Sequence, residues 1–154
     1  MGTIPLREEM TMKVKDIMST NITCVREDTS VSQAAKQMRA ENVGCLPVCD
    51  DRGCVTGIIT DRDLVLRAVA KEASDACVGD IMTLKPVTVS PDTNTHDAAL
   101  LFSAYRIRRL PVVESSRLTG MLSLGDLASK PVCIDEAGDA LSAISLADGL
   151  QAGN

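Results

Sequence analysis

The sequence predicts an α/β (α+β) fold in which two pseudo-twofold-related β-α-β-β-α repeats pack sheet to sheet. Three observations predict it. First, V-K-D-I-M-S from Val14 returns as V-G-D-I-M-T from Val78, an offset of 64 that holds through Val25/Val89, Ala34/Ala98 and Leu46/Leu110. It slips to 63 after the turn Asp50–Gly53, and a polar turn is where a repeat tolerates a deletion. Seventeen positions match between 14–64 and 78–127, where roughly three are expected by chance from average composition. Second, the apolar residues of each copy switch between strand-like runs and helical spacing in the same order. Third, the 154 residues include Phe102, Tyr105 and no Trp, so the core must be built from Ile, Leu, Val, Met and Ala.

Each copy opens with a short strand, around Ile22–Val25 and Val87–Val89. Asp28-Thr29-Ser30 and Asp92-Thr93-Asn94 follow, and their short polar side chains cap a helix N-terminus. The helices span about Val31–Glu41 and Thr95–Tyr105, with Ala34, Ala35 and Met38, or Ala98, Ala99 and Phe102, on one face. Two strands joined by a polar turn come next, Cys45–Cys49 with Val55–Thr60, and Leu110–Val113 with Leu118–Ser123. A closing helix runs from Asp61 to about Ala73, and a shorter one lies near Gly125–Ser129. A lone unit of this kind exposes one apolar sheet face. Two copies bury those faces against each other, and their symmetry creates two related clefts. Ala140, Leu141, Ile144 and Ala147 at helical spacing behind Asp135-Glu136 predict a short amphipathic helix over 135–150, docked on its own chain or on a dimer mate. The chain divides into a leader or tag (1–12), a first repeat (13–74), a second repeat (77–130) and a C-terminal extension (131–154).

With 16 Lys+Arg against 21 Asp+Glu and a pI near 4.8, the chain has no global field to gather polyanions. It also lacks the aromatic faces on which single-stranded bases stack. Nucleic acid and anionic membranes are therefore not the expected partners. No apolar stretch approaches a membrane span and the first twelve residues lack the apolar middle of a signal peptide, so a cytoplasmic location is expected. The six cysteines Cys24, Cys45, Cys49, Cys54, Cys77 and Cys133 form no C-x-x-C pair, and His96 is the only histidine. Cys45, Cys49 and Cys54 read more simply as small apolar strand residues than as a metal or redox cluster, and no metal site is expected.

The motif G-I-I-T-D-R-D places Thr60 at a strand end and Asp63 three residues on, at a helix start; G-M-L-S-L-G-D places Ser123 and Asp126 at the same spacing. Hydroxyl and carboxylate there fit helix caps. They can also converge on one small target, and a carboxylate accepting from two adjacent hydroxyls suits a ribose diol; spacing by itself favours the caps. The copies differ just before L-P-V: the second has Arg106-Ile107-Arg108-Arg109 and the first has Asn42-Val43-Gly44-Cys45.

The order D-I-M, V-x-x-D-T, A-A, L-P-V and G-I-I-T-D-R-D-L, twice over Val14–Leu127, resembles the tandem cystathionine-β-synthase-type (CBS) domain pair, or Bateman module. Nearly the whole chain is covered, as in a stand-alone CBS-pair protein. The resemblance implies a non-catalytic regulatory module that binds adenosine-containing ligands (AMP, ADP, ATP or S-adenosylmethionine) and pairs into a homodimer. No cofactor is required; the adenine nucleotide or S-adenosylmethionine is a ligand. It makes Thr60, Asp63, Ser123 and Asp126 the ribose contacts, and Arg62, Arg108 and Arg109 the candidates for phosphate. Arg106 fits a structural place at a helix end. The base is assigned to Ile22, Thr23, Val87 and Thr88, with Pro47 and Pro111 nearby. Gly44-Cys45 in the phosphate position supports the alternative of a ligand-independent dimeric scaffold with vestigial clefts. No catalytic set is evident, and His96, in the first turn of a helix, fits a polar surface role.

Overall fold

A computed structural model describes residues 12–130 and 133–152; residues 1–11 of the expected leader lie outside the described residues. In chain order the elements are helix α1 (Val14–Ile17), helix α2 (Val31–Glu41), strands β1 (Cys45–Cys49) and β2 (Val55–Thr60), and helix α3 (Asp61–Asp63), continued by the π-helical segment Leu64–Val69. Helix α4 (Val78–Ile81), strand β3 (Thr83–Leu84), helix α5 (Thr95–Tyr105), strands β4 (Arg109–Glu114) and β5 (Arg117–Ser123), and helices α6 (Leu124–Ala128) and α7 (Ile134–Ala152) complete the chain.

The chain forms two compact units that do not follow sequence order: 12–20, 89–112 and 120–152 build unit 1, while 21–88 and 113–119 build unit 2. The leading segment of each repeat has crossed to the unit built mainly from the other. In unit 1, Val14 N–H donates to Thr93 O at 2.8 Å and Lys15 N–H to Pro91 O at 3.0 Å. In unit 2, Val78 N–H donates to Thr29 O and Gly79 N–H to Glu27 O, both at 2.8 Å. These are the same bonds displaced by the repeat, so the exchange is reciprocal.

The two long helices start and stop for the same local reasons. Ser30 and Asn94 cap them, accepting from the N–H groups of Gln33 at 3.1 Å and Asp97 at 2.8 Å. Asn42 and Arg106 end them, each in the left-handed conformation at φ 55°. Arg106 is therefore a helix terminator, as its expected structural place implies.

In unit 2, β1 pairs antiparallel with β2 and β2 with β3. Gly57 makes the second pairing possible, because a Cβ there would lie 2.6 Å from Met82 Sδ and 2.8 Å from Thr83 O. Unit 1 repeats the device: Ser19 and Met121 exchange two 2.9 Å backbone bonds beside Gly120. The opening strands expected at Ile22–Val25 and Val87–Val89 shrink to single parallel bridges, Val25 to Val48 and Val89 to Val112. The expected closing helix Asp61–Ala73 is α-helical only to Asp63 and then π-wound, with Ala70 N–H reaching Val65 O and Ala73 N–H reaching Ala68 O at 2.8 Å. The C-terminal helix is longer than expected, at 19 residues, and packs on α5 and α6 of its own unit.

Val31, Ala34, Met38, Leu46, Val48, Ile59 and Leu64 pack into one cluster in unit 2. Phe102, Leu110, Val112, Leu122 and Leu127 are fully buried in unit 1. The aliphatic core read from composition is present, with Phe102 as its largest side chain. Cys45, Cys49 and Cys133 are buried as small apolar residues. Burial and the neighbouring Cys24 thiol push the Cys49 thiol up to about 12.

Candidate functional site

In unit 2, β2 ends at Thr60 in extended conformation and the chain turns directly into α3. Thr60 Oγ1 accepts from Asp63 N–H at 3.1 Å, and Asp63 Oδ2 accepts from Thr60 N–H at 3.0 Å. Unit 1 builds the same reciprocal box at the β5–α6 junction. Ser123 Oγ accepts from Asp126 N–H at 3.0 Å, and Asp126 Oδ2 accepts from Ser123 N–H at 2.8 Å. All four side chains therefore cap their helices. Capping leaves chemistry in hand: an accepting hydroxyl still owns a proton to donate, and each carboxylate has a second oxygen. Asp63 is 8% exposed, and its Oδ1 lies 3.7 Å from Arg67 Nε.

The basic residues separate by unit. Arg108 and Arg109 line a groove of about 580 Å³ with Ser123 and Gly125, and Gly138 and Leu141 of α7 form its far wall. Leu124 N–H donates to Arg108 O at 2.9 Å, which ties the main chain of the basic pair to the Ser123 turn. In unit 2 the matching bond joins Asp61 N–H to Gly44 O, also at 2.9 Å. Here a Cβ on residue 44 would lie 2.8 Å from Asp61 Oδ2, so the carboxylate fills the space a side chain would need. Arg62 is exposed on this turn, and its backbone N–H donates to Asp61 Oδ1 at 2.8 Å.

Ile22 and Thr23 are half-buried just before the Val25 bridge, whereas at the matching bridge Val87 is half-buried and Thr88 exposed. Thr23 Oγ1 donates to Glu41 Oε1 at 2.5 Å, while Glu41 Oε2 is buried with no hydrogen-bond partner among the described residues. Pro47 and Pro111 are sealed in the core and act through their carbonyls, which accept from Val25 N–H and Val89 N–H at 3.0 Å. They anchor the two segments from behind. Sequence reading missed Asp61, Glu41 and the α7 wall. The mismatch of Asp61 with Leu124, and of Glu41 with Tyr105, was the signal available for the first two.

The sequence model of the CBS domain matches residues 14–69 and again 78–133. The chain is a CBS-domain protein. YlbB of Bacillus subtilis is 39% identical to it over 143 residues, which span 92% of this chain and 97% of YlbB. CBSX2 of Arabidopsis thaliana, solved in complex with AMP, superposes with a TM-score of 0.70 at 33% identity, covering 80% of this CBS-domain protein and 98% of CBSX2. The CBS domain pair of MJ0100, solved with 5′-methylthioadenosine and S-adenosyl-L-methionine, gives 0.72 at 30% identity, covering 77% and 94%.

Proposed function

We propose that this CBS-domain protein is a non-catalytic regulatory module that binds adenosine-containing ligands and acts as a ligand-sensing homodimer in the cytoplasm. The observation that carries the reading is the pair of Thr/Ser–Asp turns, one of them opening on a groove lined by Arg108 and Arg109. Asp63 and Asp126 receive the ribose diol. Thr60 and Ser123 assist through their hydroxyl protons. Arg108 and Arg109 take phosphate in unit 1, and Arg62 is the basic group at the other turn. The base lies against the main chain of Ile22-Thr23 or Val87-Thr88, which Pro47 and Pro111 hold in place. With so few aromatic residues, aliphatic contacts and backbone groups grip the adenine. AMP in CBSX2, and 5′-methylthioadenosine with S-adenosylmethionine in the MJ0100 pair, support this ligand class.

A dimer is supported by Val65, Leu66 and Val69, which are 56%, 46% and 69% exposed along one π-wound segment. Among the described residues, no helix is long and apolar enough to cross a membrane. Sensing follows only if the ligand prefers one arrangement of the assembly over another. Thermal unfolding with AMP, ATP and S-adenosylmethionine tests the reading. A ligand at about a hundred times its Kd adds about 2.7 kcal/mol of stability. An unmoved melting curve with no heat of binding for all three overturns it in favour of a dimeric scaffold.

A further inference from the structure

The two capped turns share one backbone and are set among different charges. Unit 1 brings Arg108 and Arg109 to the turn whose only acid is Asp126. Unit 2 offers Gly44 and Cys45 at the matched positions, and its turn carries Asp61 and Arg62 where the other has Leu124 and Gly125. Gly44 leaves a space that the Asp61 carboxylate enters, with Oδ2 2.8 Å from where a Cβ would sit. Arg62 shares its turn with Asp61 and Asp63, and Arg67 pairs with Asp63 at 3.7 Å, so two carboxylates meet two guanidinium groups there and no positive charge is left over.

Glu41, which holds the Thr23 that the adenosyl-binding reading assigns to the base, lies in the same unit. One of its oxygens accepts the Thr23 hydroxyl proton, and the other is buried and unpartnered among the described residues. A buried acceptor of this kind is satisfied by an incoming N–H or cation and is worsened by an anion. The matched residues of the other copy, Tyr105 and Val87, carry no such demand. A phosphate at the Thr60 turn would meet Asp61 at short range, where like charges repel most strongly, whereas a thioether is indifferent to it and a sulfonium is attracted.

Resting on the adenosyl-binding reading above, we propose that the two turns sort ligands by charge. The Arg108/Arg109 groove takes a phosphate-bearing adenosine nucleotide. The Thr60–Asp63 turn takes an adenosyl compound without phosphate, neutral or cationic at its 5′ end.

Equilibrium dialysis of the full chain against AMP and S-adenosylmethionine, singly and together, tests the proposal. AMP is expected to fill one site per chain and to leave S-adenosylmethionine binding intact. R108A/R109A is expected to weaken AMP by roughly tenfold or more, as loss of charge-assisted bonds does, without moving S-adenosylmethionine. D61N, at an exposed position, is expected to raise AMP uptake toward two per chain. AMP filling both turns of the wild type equally, or competing with S-adenosylmethionine for one site, overturns the sorting and leaves the adenosyl-binding reading standing. Binding of neither compound overturns both.

Discussion

Unit 1 at its Ser123–Asp126 turn and unit 2 at its Thr60–Asp63 turn are two outcomes of one duplicated design. The frame is kept: the reciprocal hydroxyl–carboxylate cap at the turn, the backbone bond at 2.9 Å that ties it to the preceding segment, and the left-handed residue at φ 55° that ends the long helix before that segment. What lies around the turn has diverged in charge, from Arg108-Arg109 to Gly44 with Asp61. Local geometry is tied to folding, because an uncapped helix start costs stability in either copy. A side chain that only faces a groove is free of that constraint, and there the copies part.

The core offers the largest perturbation of this comparison. Phe102 and Met38 occupy matched positions, 0% and 6% exposed. Phe102→Ala is expected to cost about 3–5 kcal/mol in chemical denaturation, and Met38→Ala about 2–5 kcal/mol, toward the lower end because the thioether chain leaves a more collapsible gap. Equal costs would show that the units respond to a cavity alike.

Next in size are the matched glycines. Gly57→Ala drives a methyl against the Thr83 carbonyl at 2.8 Å, a tighter contact than the 3.0 Å at Gly120 against Ser19 O. A loss of about 1–3 kcal/mol is expected for Gly57→Ala and a smaller one for Gly120→Ala. The reverse order in thermal melts would mean that the unit 2 edge yields more readily than its geometry implies.

Removing the caps tests what the copies share. Thr60→Ala and Ser123→Ala are each expected to cost about 1 kcal/mol. A cost confined to one of them, measured by denaturant midpoint, would break the equivalence.

The smallest effect concerns the turn where the copies differ in length. The Cys54 and Arg52 N–H groups hold the Asp50 carboxyl below its ordinary value. A folded value lowered in this way stabilises above the ordinary carboxylate range, and the benefit disappears as pH falls through the folded value. Asp50→Ala should therefore be slightly less stable than the wild type at neutral pH, with the gap closing in acid. A gap that widens on acidification would contradict the sign.

Sequence and structure agree where the determinants are local. Ser30 and Asn94 mark where α2 and α5 begin, and the polar turn after Cys49 marks the β1–β2 hairpin, so all these boundaries were legible. Ile22–Val25 looked like a strand because it is apolar and β-branched, yet only Val25 finds a partner, and pairing is a long-range fact. The crossing of α1 and α4 between units was invisible for the same reason: Val14 seeks Thr93, far along the chain. The π winding after Asp63, along which Leu64 and Ala68 are buried, is not encoded in helical periodicity. At the site, the hydroxyl–carboxylate turns and the basic pair were readable from spacing and repeat comparison. Asp61 was not, because a carboxylate beside a glycine acquires meaning only when the two are seen in contact.

Calorimetric titration of AMP into the wild type, Asp126→Ala and Asp63→Ala tests the central claim most directly. The account predicts binding to the wild type, a loss of at least about tenfold in Asp126→Ala, where the ribose would lose its charged acceptor, and little change in Asp63→Ala. AMP binding to Asp126→Ala with the wild-type affinity would contradict it.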